Sequence, residues 1–404
     1  MENLGGVIVS GAGPVGLVTA LGLARAGIKV TLVDAAPTIN DSPRAAIYYP
    51  TTLDVLDCYG LLEDALHVGY KSTEFQFRSP AENKVVSIDS SILTGLVRYP
   101  YNLHLGQHIL ADLVLQHLSR YPNAAVRWNT GLAAFEQDER GVTVRVDTAE
   151  GPQDLRADWL VGSDGARSTV RRLLDLPFEG HTWPDRFVAT NVRFDFDKYG
   201  FAPINQVSDP VNWAVVARLG KENIWRCTFG EDASLPEEEV LRRIPERYAA
   251  ILPGPGKYEI VAASPYRVHE RCVPSMRVGR VLLAGDAAHV CNPCGGMGLT
   301  TGIIDAVELS DALSAVITRQ RDDSILDYYS DERRRVFREC TSPTASHMKR
   351  VLSEKDPHKR REDEQAYRTS AENAEIGRKA MMYPSGVIGR PFPEGIYERA
   401  DATA

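Results

Sequence analysis

Three short runs in this 404-residue chain carry residue types and spacings that can do chemistry. Gly11-Ala12-Gly13-Pro14-Val15-Gly16 has the G-x-G-x-x-G spacing of a pyrophosphate cradle. In such a cradle the first glycine makes a tight turn and the second lets backbone approach the phosphate. The third lets the next helix pack closely. Gly162-Ser163-Asp164-Gly165 places a carboxylate in a glycine-bounded turn, and residues 285 to 299 read GDAAHVCNPCGGMGL. Alone, Cys291-Asn292-Pro293-Cys294 reads as a C-x-x-C redox pair. No second C-x-x-C or His pair completes a tetrahedral set, so no metal site is expected.

The elements around the first run are those of a β-α-β unit. Val7, Ile8 and Val9 form the short apolar run of a parallel strand buried on both faces. Leu17, Ala20, Leu21 and Ala24 recur at helical spacing, with Gly27 placed to end the helix. A second apolar strand, Val30 to Val33, ends at Asp34, where a carboxylate accepts the hydroxyls of an adenosine ribose. That carboxylate would repel a 2′-phosphate, so FAD or NAD is expected here rather than NADP.

The second and third runs decide between the two cofactors. Each is expected as an apolar strand, an acidic glycine turn and then a helix. With GAGPVG they resemble the three fingerprints of the group A FAD-dependent aromatic hydroxylases, the flavoprotein monooxygenases of the p-hydroxybenzoate hydroxylase fold, over roughly residues 5 to 330. The resemblance implies that Asp164 and Gly165 touch FAD, that Arg167 lies on the route of NAD(P)H, and that Asp286 holds the ribityl chain. It also places Arg44, in the segment SPRAAIYYP, and Gln107 near the flavin. Pro293, Gly295 and Gly296 fall on the loop that faces flavin and substrate, so Cys291 and Cys294 are read as small loop residues. The helix beginning near Gly298 and Leu299 directs its positive end at the flavin ring. Where many members have Gly-Gly-Gln-Gly-Met-Asn, this chain has Gly295-Gly296-Met297-Gly298-Leu299-Thr300, a difference expected to alter hydrogen bonding to the ring.

The fold class expected is α/β: a Rossmann-type FAD-binding domain with an inserted antiparallel β-sheet substrate domain and a C-terminal helical segment. The FAD domain is assigned to 1–70, 101–180 and 271–330, and the substrate sheet to 71–100 and 181–270. Runs such as RFVATNVRFDFD and IWRCTFG alternate apolar and polar residues with period two, which signals half-buried antiparallel strands. Residues 331–404 are rich in interleaved charges and read as a solvated helical face or dimer-flanking arm.

The implied activity is hydroxylation of a small phenolic or heteroaromatic compound by O2 through a flavin C4a-hydroperoxide, with NADPH or NADH as co-substrate. No second glycine fingerprint marks a resident nicotinamide site. An epoxidase or reductase of the same fold acting on an alkene, and a non-catalytic flavin-binding protein, are the alternatives. His104, His269, Tyr266 and several other tyrosines are candidate bases, with no motif to choose among them. A net charge of −8 argues against nucleic-acid and anionic-membrane surfaces. The amino terminus lacks a basic leader, no apolar run reaches ~20 residues, and six cysteines are too few for a disulfide scaffold in a chain this long. A cytoplasmic protein with reduced thiols is expected, with a homodimer as the candidate assembly.

Overall fold

The structure, a computed structural model, describes residues 1–41, 43, 45–254 and 256–393. Among these the strands form four sheets, of which two position the site. The first has six strands in the order Arg277–Val278, Val281–Leu283, Trp159–Gly162, Val7–Ser10, Val30–Val33 and Ala124–Arg127. All pair in parallel except the Arg277–Val278 edge. Four of these strands are buried at every position, as their continuous apolar runs require. Their carboxyl ends bring the three sequence motifs side by side, since Ser10 pairs with Gly162 and Gly162 with Leu283.

The helix Pro14–Arg25 leaves the first strand and packs on the long helix Met297–Ile317. Gly22 allows this close approach, because a Cβ there would lie 2.3 Å from Ser310 Oγ. After Gly285-Asp286 the expected helix does not follow directly. A 3-10 turn, the strand His289–Val290 and a second 3-10 turn at Pro293–Gly295 intervene before Met297. The buried Asp305 explains this path, since it accepts from the Gly285 amide at 3.0 Å and pairs with His289 Nε2 at 2.7 Å.

The second sheet has eight strands and contains the alternating runs. Glu179–Arg193, Ala214–Leu219, Ile224–Asp232 and Glu259–Cys272 pair antiparallel. Residues 74–79 and 84–89 extend it, joined through a parallel pairing of Glu74–Ser79 with Ile204–Val207. A smaller sheet of residues 131–157, joined by Glu2–Asn3, had no separate place in the sequence reading.

The charged C-terminal segment is more than a solvated face. Arg333 is fully buried, with Nε donating to Asp305 Oδ1 at 2.7 Å and a terminal nitrogen to the Val387 carbonyl at 2.8 Å. Helices Ser342–Leu352, Pro357–Glu372 and Ala374–Met381 then run across the open side of the eight-stranded sheet, contacting its edge strand and the Ser90–Leu93 turn.

Candidate active site

The glycine cradle folds as the motif predicts. Gly11 has φ +105°, and a Cβ there would sit 2.6 Å from the Ser163 carbonyl, so only glycine fits between the first two motifs. A Cβ on Gly16 would lie 2.0 Å from the Gly11 carbonyl, which accounts for the close helix packing. Gly13, by contrast, faces open space with nothing within 4 Å of an added Cβ. Asp34 accepts from the Ala12 amide at 2.6 Å and the Ala36 amide at 2.8 Å, closing the far end of the cradle.

Asp164 caps the helix Thr169–Leu173 through Oδ2, which accepts from the Thr169 and Val170 amides at 2.7 and 3.2 Å. Its Oδ1 is buried without a partner among the described residues, a costly arrangement unless a bound group supplies a donor. Gly165 beside it opens onto free space, and Gly298 has only Cys291 Sγ nearby, at 3.7 Å. Neither the Pro14 helix nor the Met297 helix has a side-chain cap, so both leave first-turn amides for an anion or a polarised carbonyl. Asp286 is exposed on its turn, Arg167 is exposed, and Gln107 begins the helix Gln107–Leu118 with its amide donating to Ala45. Arg44 lies outside the described residues. Open glycines, uncapped helix starts and an orphaned carboxylate oxygen around one cleft fit FAD.

The CNPC loop is set by the buried carboxylate of Glu270, which accepts from the Asn292 amide at 2.9 Å, Asn292 Nδ2 at 2.6 Å and Ser342 Oγ at 2.8 Å. Asn292 Oδ1 in turn accepts from the Cys294 amide at 3.1 Å. Cys291 and Cys294 are free, and burial pushes both thiols well above their ordinary pKa. Thiols held protonated in this way are poor nucleophiles, which supports their reading as loop residues. Met297 is wholly buried and Thr300 donates to the Gly296 carbonyl at 3.3 Å. The side chains that replace the family's Gln and Asn amides are thus engaged inside the protein.

The same loop bounds a cavity of about 360 Å³. Pro293, Cys294 and Gly296 contribute from the loop, and Ile47, Tyr49 and Pro50 from the FAD domain. The roof is one face of the eight-stranded sheet, where Phe75, Ile88, Ile204 and Val215 surround a single amide, Gln206. The C-terminal helices close the remaining side with His347, Met348, Val351, Tyr367 and Tyr383. Tyr383 Oη donates to Tyr49 Oη at 2.8 Å, and Tyr49 Oη donates to the Gly295 carbonyl at 3.1 Å. Burial raises both hydroxyl pKa values, so this chain stays protonated and ties the C-terminal segment to the loop.

Of the candidate bases, His104, His269 and Tyr266 do not line the cavity, whereas the tyrosines Tyr49, Tyr367 and Tyr383 do. His104 is buried against the Arg218 carbonyl at 2.9 Å, and burial lowers its pKa to about 4. His269 bonds Thr182 Oγ1 at 2.8 Å. His347, at the cavity mouth, is the imidazole present among the described lining residues, and nothing in its charged local sequence, ASHMKR, distinguishes it.

The cleft and cavity together define a flavin-binding oxygenase site, with a cofactor cradle opening onto an enclosed, mostly apolar chamber. The family model "FAD binding domain" matches residues 6–344. The chain is 44% identical over 393 residues to para-nitrophenol 4-monooxygenase of Pseudomonas sp. (strain WBC-3), covering 96% of this chain and 98% of the relative. It is 43% identical over 358 residues to 6-hydroxy-3-succinoylpyridine 3-monooxygenase of Pseudomonas putida (strain DSM 28022 / S16), covering 88% and 91%. The crystal structure of p-nitrophenol 4-monooxygenase from Pseudomonas putida DLL-E4 superposes with a TM-score of 0.94 at 41% identity, over 97% of this chain and 100% of that one. The chain belongs to the FAD-dependent aromatic hydroxylases of the p-hydroxybenzoate hydroxylase type. It is an FAD-dependent aromatic monooxygenase, and the epoxidase, reductase and non-catalytic alternatives are not favoured.

Proposed function

We propose that this enzyme oxygenates a phenol or hydroxypyridine at the ring carbon para to the hydroxyl, using NADPH or NADH and O2. The observation that carries the reading is the enclosed apolar cavity against the Pro293–Gly296 loop, sized for one substituted ring. The relatives' names support the position: carbon 4 of para-nitrophenol and carbon 3 of 6-hydroxy-3-succinoylpyridine each bear the substituent and lie para to the hydroxyl. Oxygenation there gives a ring carbon that bears both the new hydroxyl and the substituent; the substituent leaves with its bonding electrons and the hydroxyl proton is lost, which forms the ring carbonyl.

FAD, when bound, supplies the activation of dioxygen with electrons from the nicotinamide. Gly11, Gly13, Pro14, Val15 and Gly16 would hold its pyrophosphate, Asp34 its ribose and Asp286 its ribityl chain. Asp164 and Gly165, with Gln107, Gly298 and Leu299, would line the flavin, and Arg167 the nicotinamide route. The sheet roof and C-terminal helices orient the ring and exclude water. His347 Nδ1 or Nε2 accepts the phenolic proton, since partial desolvation and then Arg350 lower its pKa and keep it neutral. Asp363 lines the same cavity and opposes this shift, but it is held bidentate by Arg350 at 2.8 and 2.7 Å, and the lowering causes outweigh it.

The test is anaerobic reduction of the purified holoenzyme's flavin by NADPH and by NADH, with and without para-substituted phenols and 6-hydroxypyridines. Acceleration by such a compound, with release of its para substituent under air, is the expected result. A flavin that neither nucleotide reduces in the presence of any of them overturns the reading.

A further inference from the structure

The roof strand Ile204–Val207 presents Ile204 and Gln206 to the cavity, flanked by Phe75 and Val215 in register. An amide on this otherwise apolar face costs free energy unless its donors and acceptors are all matched. Gln206 is only 6% exposed, yet its matching is incomplete. Its Oε1 accepts from Tyr367 Oη at 2.7 Å, whereas among the described residues its Nε2 has only the Met348 thioether, at 3.7 Å. A thioether is a weak acceptor, and the amide has two protons to give.

The orientation of the amide follows from the same neighbours. Met348 Sδ has no proton, so Oε1 placed against it would meet lone pair with lone pair. The arrangement with nitrogen beside sulfur and oxygen beside the tyrosine is the favourable one. Tyr367 is itself fixed by stacking on Phe77, with ring centroids 4.2 Å apart and 10° between planes. The sheet and the C-terminal helix Pro357–Glu372 therefore hold one buried N–H donor towards the cavity.

We propose that Gln206 Nε2 is a substrate-recognition donor, bonding an oxygen carried by the aromatic ring, with Tyr367 as its positioning residue. This rests on the cavity being the substrate site. The acceptor is either the phenolic oxygen or an oxygen of the para substituent, and three ligands separate them: 4-nitrophenol, 4-chlorophenol and nitrobenzene.

Affinities are measured by calorimetry on the holoenzyme for the wild type, Gln206→Leu and Tyr367→Phe. Gln206→Leu is expected to weaken 4-nitrophenol about tenfold, the loss of roughly one hydrogen bond. It should weaken nitrobenzene alike and spare 4-chlorophenol if the substituent oxygen is recognised, with the reverse pattern for the phenolic oxygen. Tyr367→Phe keeps the stack but releases the amide, so the same pattern should appear at smaller amplitude. Equal losses on all three ligands, or none, overturn the inference. Failure of the wild type to bind any of them counts against the cavity reading instead.

Discussion

Gly13 and Gly16 belong to one motif yet do different things. Gly16 is confined by the Gly11 carbonyl, whereas Gly13 faces the open cleft. A side chain at 13 is therefore expected to leave the protein fold alone and, on the proposed cofactor map, to compete with FAD. Gly13→Val is expected to purify folded, with an unchanged circular dichroism spectrum, but with most of its FAD lost by the flavin-to-protein absorbance ratio. His347 makes a prediction about pH. Its pKa is lowered, so the neutral, proton-accepting form is lost as pH falls through that value. With a phenol whose own pKa lies well above the range scanned, kcat/KM of the wild type should fall on the acid side. His347→Gln should be slower by about 10²-fold and should lack that limb. A limb of the same shape in the variant would assign it to another group.

Among elements, the long helix Met297–Ile317 joins the cofactor motif to the C-terminal segment through one carboxylate. Burial alone would raise the pKa of Asp305, but attraction to His289 and Arg333 outweighs it and brings it down to about 2. A pKa depressed in the folded state stabilises the protein above the ordinary carboxylate range, and this contribution fades as pH falls through about 2. Asp305→Asn would leave Arg333 buried without its nearest charge partner and weaken the bond to the Gly285 turn. A loss of about 3–5 kcal/mol is expected at neutral pH, read by denaturant unfolding, with the gap to wild type narrowing towards pH 2. A variant within about 0.5 kcal/mol of wild type would show that the hub is not structural.

For the whole molecule, the cavity exists only because the C-terminal helices close it. Tyr383, tied to Tyr49 and the Gly295 carbonyl, fastens that closure to the Pro293–Gly296 loop. Tyr383→Ala should admit water, so that less of the NAD(P)H consumed yields hydroxylated product and more yields hydrogen peroxide. The product-to-NAD(P)H ratio measures this, and an unchanged ratio would place the water barrier elsewhere.

The sequence alone determined the cofactor half of this protein. A pyrophosphate cradle, an acid after the second strand and two acidic glycine turns are local patterns, because each motif follows its own strand and the parallel sheet merely brings the strand ends together. The alternating runs likewise disclosed the second sheet, since period two is written along each strand. Only the tertiary structure decided the substrate half. Gln206, His347, Tyr367 and Tyr383 stand in segments whose local sequence has no motif, and they meet because a charged C-terminal arm folds back over a distant sheet. The charges suggested a solvated surface, but one side of each helix carries the residues that complete the cavity. That pairing depends on contacts more than a hundred residues apart, such as Tyr367 with Gln206 and Tyr383 with Tyr49, which no local spacing records.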